Sequence, residues 1–237
     1  MKQLDLSWSQ GRGGSRPGAG RKPRPGRRNV PHRAREAHCR RHPVLVSVRS
    51  ALRALRSRFV YPTIRGAVAQ VNGRRRDAFR IAHFSVQHDH LHLLVEAADR
   101  HELSSGVRAL TITLALRLNR LVQRRGRVIA DRWHGRALST PRAVRHALIY
   151  VLANFRKHDR NATALIDAYS SAPFFVGFRE LDGVAASARW CASEFRELGP
   201  PHETVVERAQ TWLLAVGWRK LGLIGLNEAP AAVRRGE

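Results

Sequence analysis

His83-Phe84-Ser85-Val86-Gln87-His88-Asp89-His90-Leu91-His92-Leu93-Leu94-Val95-Glu96 decides the fold of this chain. Phe79 to Val86 reads as one strand and Leu91 to Ala97 as the next, and the tight Gln87-His88-Asp89 link between them suits a hairpin. In an extended chain residues i and i+2 project from the same face. With Leu91, Leu93 and Val95 against a core beneath the sheet, His90, His92 and Leu94 face the other way, and both imidazoles reach one side. Two readings of the pair stand open: a two-nitrogen grip on a cation, or two partly buried histidines hydrogen-bonded to neighbours.

Working outward, Val44, Val46 and Val48 alternate with Leu45, Ser47 and Arg49, which predicts a first strand. Helix-spaced apolar residues follow from Ala51 to about Val71, with Pro62 interrupting or starting the main helix. After the hairpin, Leu103, Val107, Leu110, Leu114, Leu118 and Leu121 recur at three and four, predicting a helix from about Glu102 to Gln123. Trp133 to Leu138 reads as a fourth strand, and Ser139-Thr140-Pro141 as the start of a helix running to about His158. This order, β-α-β-β-α-β and a further helix, predicts an α+β fold. It is a ferredoxin-like split βαβ core, an antiparallel sheet with helices on one face, plus an added helix.

Residues 1–42 hold little to bury and are rich in Gly, Pro and Arg, so the reading is a disordered basic arm. Its Gly-Arg-Lys-Pro run lacks the Ser or Thr of a phosphate loop, since Lys22 precedes Pro23. Arg16, Arg21 and Lys22 are suited either to a DNA minor groove or to a solvated tail. Residues 43–160 form the expected catalytic domain. Residues 161–237 form a loop-rich extension with a helix near Thr204 to Val216, in which Trp190, Trp212 and Trp218 are expected to make an apolar centre.

The formal charge of +25 over 237 residues selects a polyanionic partner, DNA or RNA. Two distant cysteines, Cys39 and Cys191, indicate neither a disulfide framework nor a zinc ribbon. No signal-peptide stretch and no membrane-length apolar run is evident, so a cytoplasmic setting without membrane partners is expected.

Two histidines are too few for a metal site. In the helix from Pro141, Tyr150 and Asn154 stand at i and i+4, on one face about one turn apart. An amide oxygen is a hard ligand suited to Mg²⁺ or Mn²⁺. His90, His92 and Asn154 together would polarise a scissile phosphate, and Tyr150 would attack phosphorus to form a covalent 5′-phosphotyrosine. Of the other tyrosines, Tyr61 precedes Pro62 and Tyr169 lies in a loop, neither with a ligand one turn on.

The segments His83 to Glu96, Asp131-Arg132-Trp133-His134-Gly135-Arg136 and Arg145 to Asn154 resemble the small single-tyrosine HUH transposases of bacterial insertion sequences. The likeness is greatest to the branch known as REP-associated tyrosine transposases, and it covers roughly residues 40 to 160. It implies a catalytic domain that cuts and joins single-stranded DNA, often at the foot of a hairpin, with a divalent metal. By the resemblance His90 and His92 match the histidine pair, Tyr150 the nucleophile and Asn154 the polar residue that completes the metal site. Asp89 stands where an acid often orients or caps. The chain departs from many relatives after the tyrosine, with Asn154-Phe155-Arg156-Lys157-His158 in place of an Asn-Pro-Val-Arg-Ala-like turn.

Candidate DNA contacts are Arg132, Trp133, His134 and Arg136, with Trp133 either stacking on a base or packing in the core. Arg156, Lys157 and His158 either touch phosphates or answer a helix dipole. Monomer and homodimer both stay open, because the tyrosine helix can serve its own site or a partner's. A competing reading is a non-catalytic basic DNA- or RNA-binding protein that keeps the same fold. A three-carboxylate nuclease is disfavoured by the scarcity of acids.

Overall fold

A computed structural model describes residues 37–75, 77–155, 166–184 and 205–230. Strands β1 (Val44–Arg49), β2 (Phe79–Val86), β3 (His90–Ala97) and β4 (His134–Ala137) form one antiparallel sheet in the order β2-β3-β1-β4. Helix α1 (Tyr61–Arg75) links β1 to β2 and α2 (Arg100–Leu121) links β3 to β4, so each crosses one intervening strand. This is the α+β split βαβ arrangement expected of a ferredoxin-like core.

The alternation in β3 divides the molecule into two cores. Leu91, Leu93 and Val95 join Val44, Val46 and Val48 beneath α1 and α2. Leu94, on the opposite face, packs with Leu148, Val151 and Leu152 of α3 (Pro141–Ala153). In α2 the expected stripe Leu103, Val107, Leu110, Leu114 and Leu118 is buried, and Asp99 caps the helix by accepting from the Glu102 amide at 2.8 Å. Gly106 on that stripe lies so close to the Phe79 ring that a Cβ would collide with it. Helix α3 begins as expected, with Thr140 accepting from the Ala143 amide at 3.1 Å and Pro141 at the first position.

Pro62 starts the main helix, one of the two readings above. The 51–60 segment is laid along the hairpin end, with Ala51 N–H donating to Val128 C=O and Leu55 N–H to His88 C=O, and α1 begins at Tyr61. Two expectations need correction. The fourth strand starts at His134 rather than Trp133, whose ring packs against the α1/α2 core. The helix expected over Thr204–Val216 is reduced to α4 (Trp212–Ala215), because the residues before it serve the sheet. Glu207 N–H donates to Ile81 C=O, and Asn72 bonds both Ile81 C=O and Val205 C=O through its amide.

The outer edge of β2 is covered by a segment with no strand periodicity. Val86 N–H donates to Tyr169 C=O at 2.8 Å and Ser171 N–H to Phe84 C=O at 2.9 Å. Arg56 locks this cover in place, pairing at 2.8 Å with Asp167, whose side chain is fully buried, and donating to Val86 C=O at 3.1 Å. Trp218 is buried in the α3 core as expected, whereas Trp212 is 52 % exposed and does not belong to an apolar centre. Trp190 lies outside the described residues, as do the arm (Arg16, Arg21, Lys22) and the run Arg156, Lys157 and His158.

Candidate active site

The sheet places His90 and His92 at the hairpin end of β3, on the face covered by α3. The register sets Ser85, His92, Ser47 and His134 in one row across four strands. Residues opposite one another share a face, so a polar row on the α3 side is built around His92. The row beside it holds Leu94, Leu45 and Arg136.

Helix α3 brings Tyr150 over this row. The Tyr150 hydroxyl lies 3.1 Å from His92 Nε2, and His92 Nε2 lies 3.0 Å from His90 Nε2. The three rings meet edge to face, with centroids 4.6 Å apart in both pairs.

The other nitrogen of each imidazole is occupied. His90 Nδ1 is 2.7 Å from Asp89 Oδ1, and His92 Nδ1 is 3.0 Å from Ser47 Oγ. The hydrogen bond from His90 holds the Asp89 carboxyl below the usual carboxylate range, and Arg49 at 3.6 Å acts in the same direction. An ionised Asp89 fixes the His90 proton on Nδ1, which leaves Nε2 with its lone pair. The 3.0 Å contact between the two Nε2 atoms is a hydrogen bond donated by His92 when Ser47 donates to its Nδ1, and both Nε2 atoms turn to a cation when that proton is displaced.

Asn154 follows Tyr150 by one turn and caps α3. It is 1 % exposed, and its Oδ1 is buried without a hydrogen-bond partner. A buried amide oxygen left unsatisfied costs about 1–3 kcal/mol, so it is an acceptor in want of a proton or a cation. Two imidazole Nε2 atoms and an orphaned amide oxygen are the types of donor that suit a divalent cation. Among the described residues no group of three or more His, Cys, Asp or Glu could hold a metal, so a cation here depends on the amide.

Burial holds the Tyr150 phenol above the usual tyrosine range. Its ring opens on a groove of about 470 Å³ between α3 and the β1/β4 edge, lined by Ser47, Arg136, Arg145 and His146 on one side and Glu228 to Pro230 on the other. Arg145 grips Glu228 with two hydrogen bonds of 2.7 Å and donates to Leu223 C=O at 3.1 Å.

No protein-family model matches this chain, and no curated protein matches it either. One solved structure is similar to it. That structure is of a REP-associated tyrosine transposase bound to a REP hairpin, with 17 % identity and a TM-score of 0.45 over 55 % of this chain and 75 % of that one.

Of the residues named from sequence, His90, His92 and Tyr150 are brought together, and Asn154 is buried on the same helix as Tyr150. His134 and Arg136 are exposed on β4, and Arg132 is exposed in the loop before it. Ser47, Arg145 and Glu228 escaped sequence reasoning. Ser47 carried a usable signal, as the small polar residue between Leu45 and Arg49 on the non-valine face of β1. Arg145 and Glu228 are 83 residues apart and carried none.

Proposed function

We propose that this protein is a DNA strand transferase that nicks and rejoins single-stranded, hairpin-associated DNA through a covalent 5′-phosphotyrosine at Tyr150. The observation that carries the reading is the convergence of His90 Nε2, His92 Nε2 and Tyr150 Oη, each within 3.1 Å of the next, with the unpartnered Asn154 oxygen one helical turn beyond Tyr150. A hydrogen-bonded histidine pair alone needs no tyrosine, and a packed tyrosine needs no orphaned amide.

His90, His92 and Asn154 would hold Mg²⁺ or Mn²⁺. Bound there, the cation supplies Lewis-acid polarisation of a phosphate oxygen and charge neutralisation. The protein's own groups do the rest. Asp89 and Ser47 keep both Nε2 atoms turned inward. Tyr150 Oη loses its proton and bonds to phosphorus while the bond from phosphorus to the 3′-oxygen breaks. That oxygen takes up a proton, and the upstream strand leaves with a free 3′-hydroxyl. The downstream strand stays on the tyrosine until a 3′-hydroxyl reverses the step. One phosphodiester is exchanged for another, so no nucleotide cofactor is required. Arg136 and Arg145 line the groove through which a strand would reach Tyr150, and the +25 charge favours its approach.

The test uses purified protein and a pool of 3′-labelled hairpin oligonucleotides with randomised flanks. With Mg²⁺ or Mn²⁺ the expected product is an adduct that survives denaturation, lost with a chelator and reduced about 1,000-fold or more by Tyr150→Phe. An adduct that persists in Tyr150→Phe would refute the nucleophile. Salt-dependent binding with no metal-dependent cleavage would favour the non-catalytic DNA- or RNA-binding reading instead.

A further inference from the structure

A second groove, of about 450 Å³, lies at the other end of β3. It is lined by Arg40, Arg41, His42 and Arg80 and bounded by Trp212. Seven residues separate His90 from Ala97, which also lines it, so along the strand it is about 24 Å from the histidine pair. Its helix, α4, packs into the α3 core through Leu213 and Leu214, which puts Trp212 in the same layer as Tyr150.

Trp212 is an exposed aromatic held in place. Glu96, at the end of β3, accepts from the amides of Gln210 and Thr211 at 2.8 Å and from the Thr211 hydroxyl at 2.7 Å, and so fixes the residue before the tryptophan. One part of the ring lies on the backbone of Gly217, where a Cβ would come within 2.7 Å of it. The Lys220 ammonium lies over the ring, 5.0 Å from its centroid, a cation–π contact that a stacking base would displace. Arg40 and Arg41 sit in a turn closed by His42 N–H donating to Cys39 C=O at 2.9 Å and tied down by His38 Nε2, 2.9 Å from Ala97 O. Two carboxylates share the groove, Asp77 and Glu96, and the second is engaged by the three donors above and by Arg80 at 3.8 Å.

A rigid, half-exposed indole beside guanidinium groups is the combination that takes an unpaired base and its phosphates. Duplex DNA offers no free base face within the helix, and an acidic peptide lacks the regular alternation of ring and phosphate that a single strand presents. We propose that this groove is a second contact for single-stranded DNA, with Trp212 stacking on a base and Arg40 and Arg41 meeting the phosphates beside it. The inference rests on the strand-transferase reading for its substrate, and it adds a recognition point remote from the chemistry.

The experiment uses full-length protein carrying Tyr150→Phe, without metal, so that binding is read apart from cleavage. Fluorescence anisotropy with single-stranded oligonucleotides is expected to show Trp212→Ala weakening binding between about 5-fold and 150-fold, with Trp212→Phe retaining most of it. Arg40→Ala with Arg41→Ala should lower the slope of log affinity against log salt by about 1.4, the loss of two phosphate contacts. Photocrosslinking of a halogenated-base oligonucleotide to the Tyr150→Phe protein, mapped to the Trp212 peptide, gives the same answer without altering the groove. Unchanged affinity and salt slope, or crosslinks that avoid Trp212, would overturn the inference while leaving adduct formation at Tyr150 intact. Binding that depends on Trp212 in a protein that never forms an adduct would leave the groove standing and remove the transferase.

Discussion

The two faces of the sheet differ in what the same strand gives them. Toward α1 and α2, β3 contributes Leu91, Leu93 and Val95 to an apolar core. Toward α3 it contributes His90, His92 and Leu94, and α3 answers with apolar packing at Leu148 and Leu152 but a hydroxyl at Tyr150. The first face makes the fold stable. The second carries a polar cluster of His90, His92 and Tyr150 and the buried, unpartnered amide oxygen of Asn154. A buried oxygen without a partner is a position that an incoming ion would satisfy.

This contrast can be broken on either side. The largest stability effect belongs to the first face: Leu93→Ala, at a fully buried position, should cost about 2–5 kcal/mol by thermal or denaturant unfolding. It should leave the cation affinity of the folded fraction unchanged, and a parallel loss of affinity would show that the faces are not independent. On the second face, Ser47→Ala or Asp89→Asn removes a partner of an imidazole Nδ1. Each is expected to weaken Mn²⁺ binding about 10- to 100-fold, measured by titration calorimetry, with little change in melting temperature.

A pH dependence is expected at the seam between β2 and the 166–175 segment. His83 packs against Phe175 and Ser171, and burial lowers its pKa from 6.5 to about 4. The unfolded chain therefore takes up the proton first as pH falls. Stability from this residue is complete above about pH 6.5 and is lost progressively toward pH 4. Melting curves across that range should show the decline, and His83→Gln should flatten it. An unaltered slope in the variant would assign the acid sensitivity to another group.

Much of the fold was legible because it is periodic. The alternation of Leu91, Leu93 and Val95 with His90, His92 and Leu94 gave the sheet its two faces, and the i, i+4 spacing put Tyr150 and Asn154 on one helix side. Pairings made at long range without periodicity were not legible. Residues 169–171 cover β2 through backbone hydrogen bonds and the Ser171 hydroxyl, and the amides of Glu207 and Gln210 are taken up by Ile81 and Glu96. Ser47 became a partner of His92 only through cross-strand register. Trp212 was expected inside because tryptophan is apolar; a four-residue helix buries Leu213 and Leu214 and leaves its first residue outside.

On the proposed mechanism Tyr150, set against His90 and His92, becomes covalently joined to DNA. The most direct measurement is mass spectrometry of protease- and nuclease-digested protein after incubation with the hairpin pool and Mg²⁺ or Mn²⁺. A 5′-phosphonucleotide remnant is expected on the peptide containing Tyr150, absent when His90 or His92 is alanine. A remnant on Tyr61 or Tyr169, or one at Tyr150 that forms equally well without the two histidines, would contradict that mechanism.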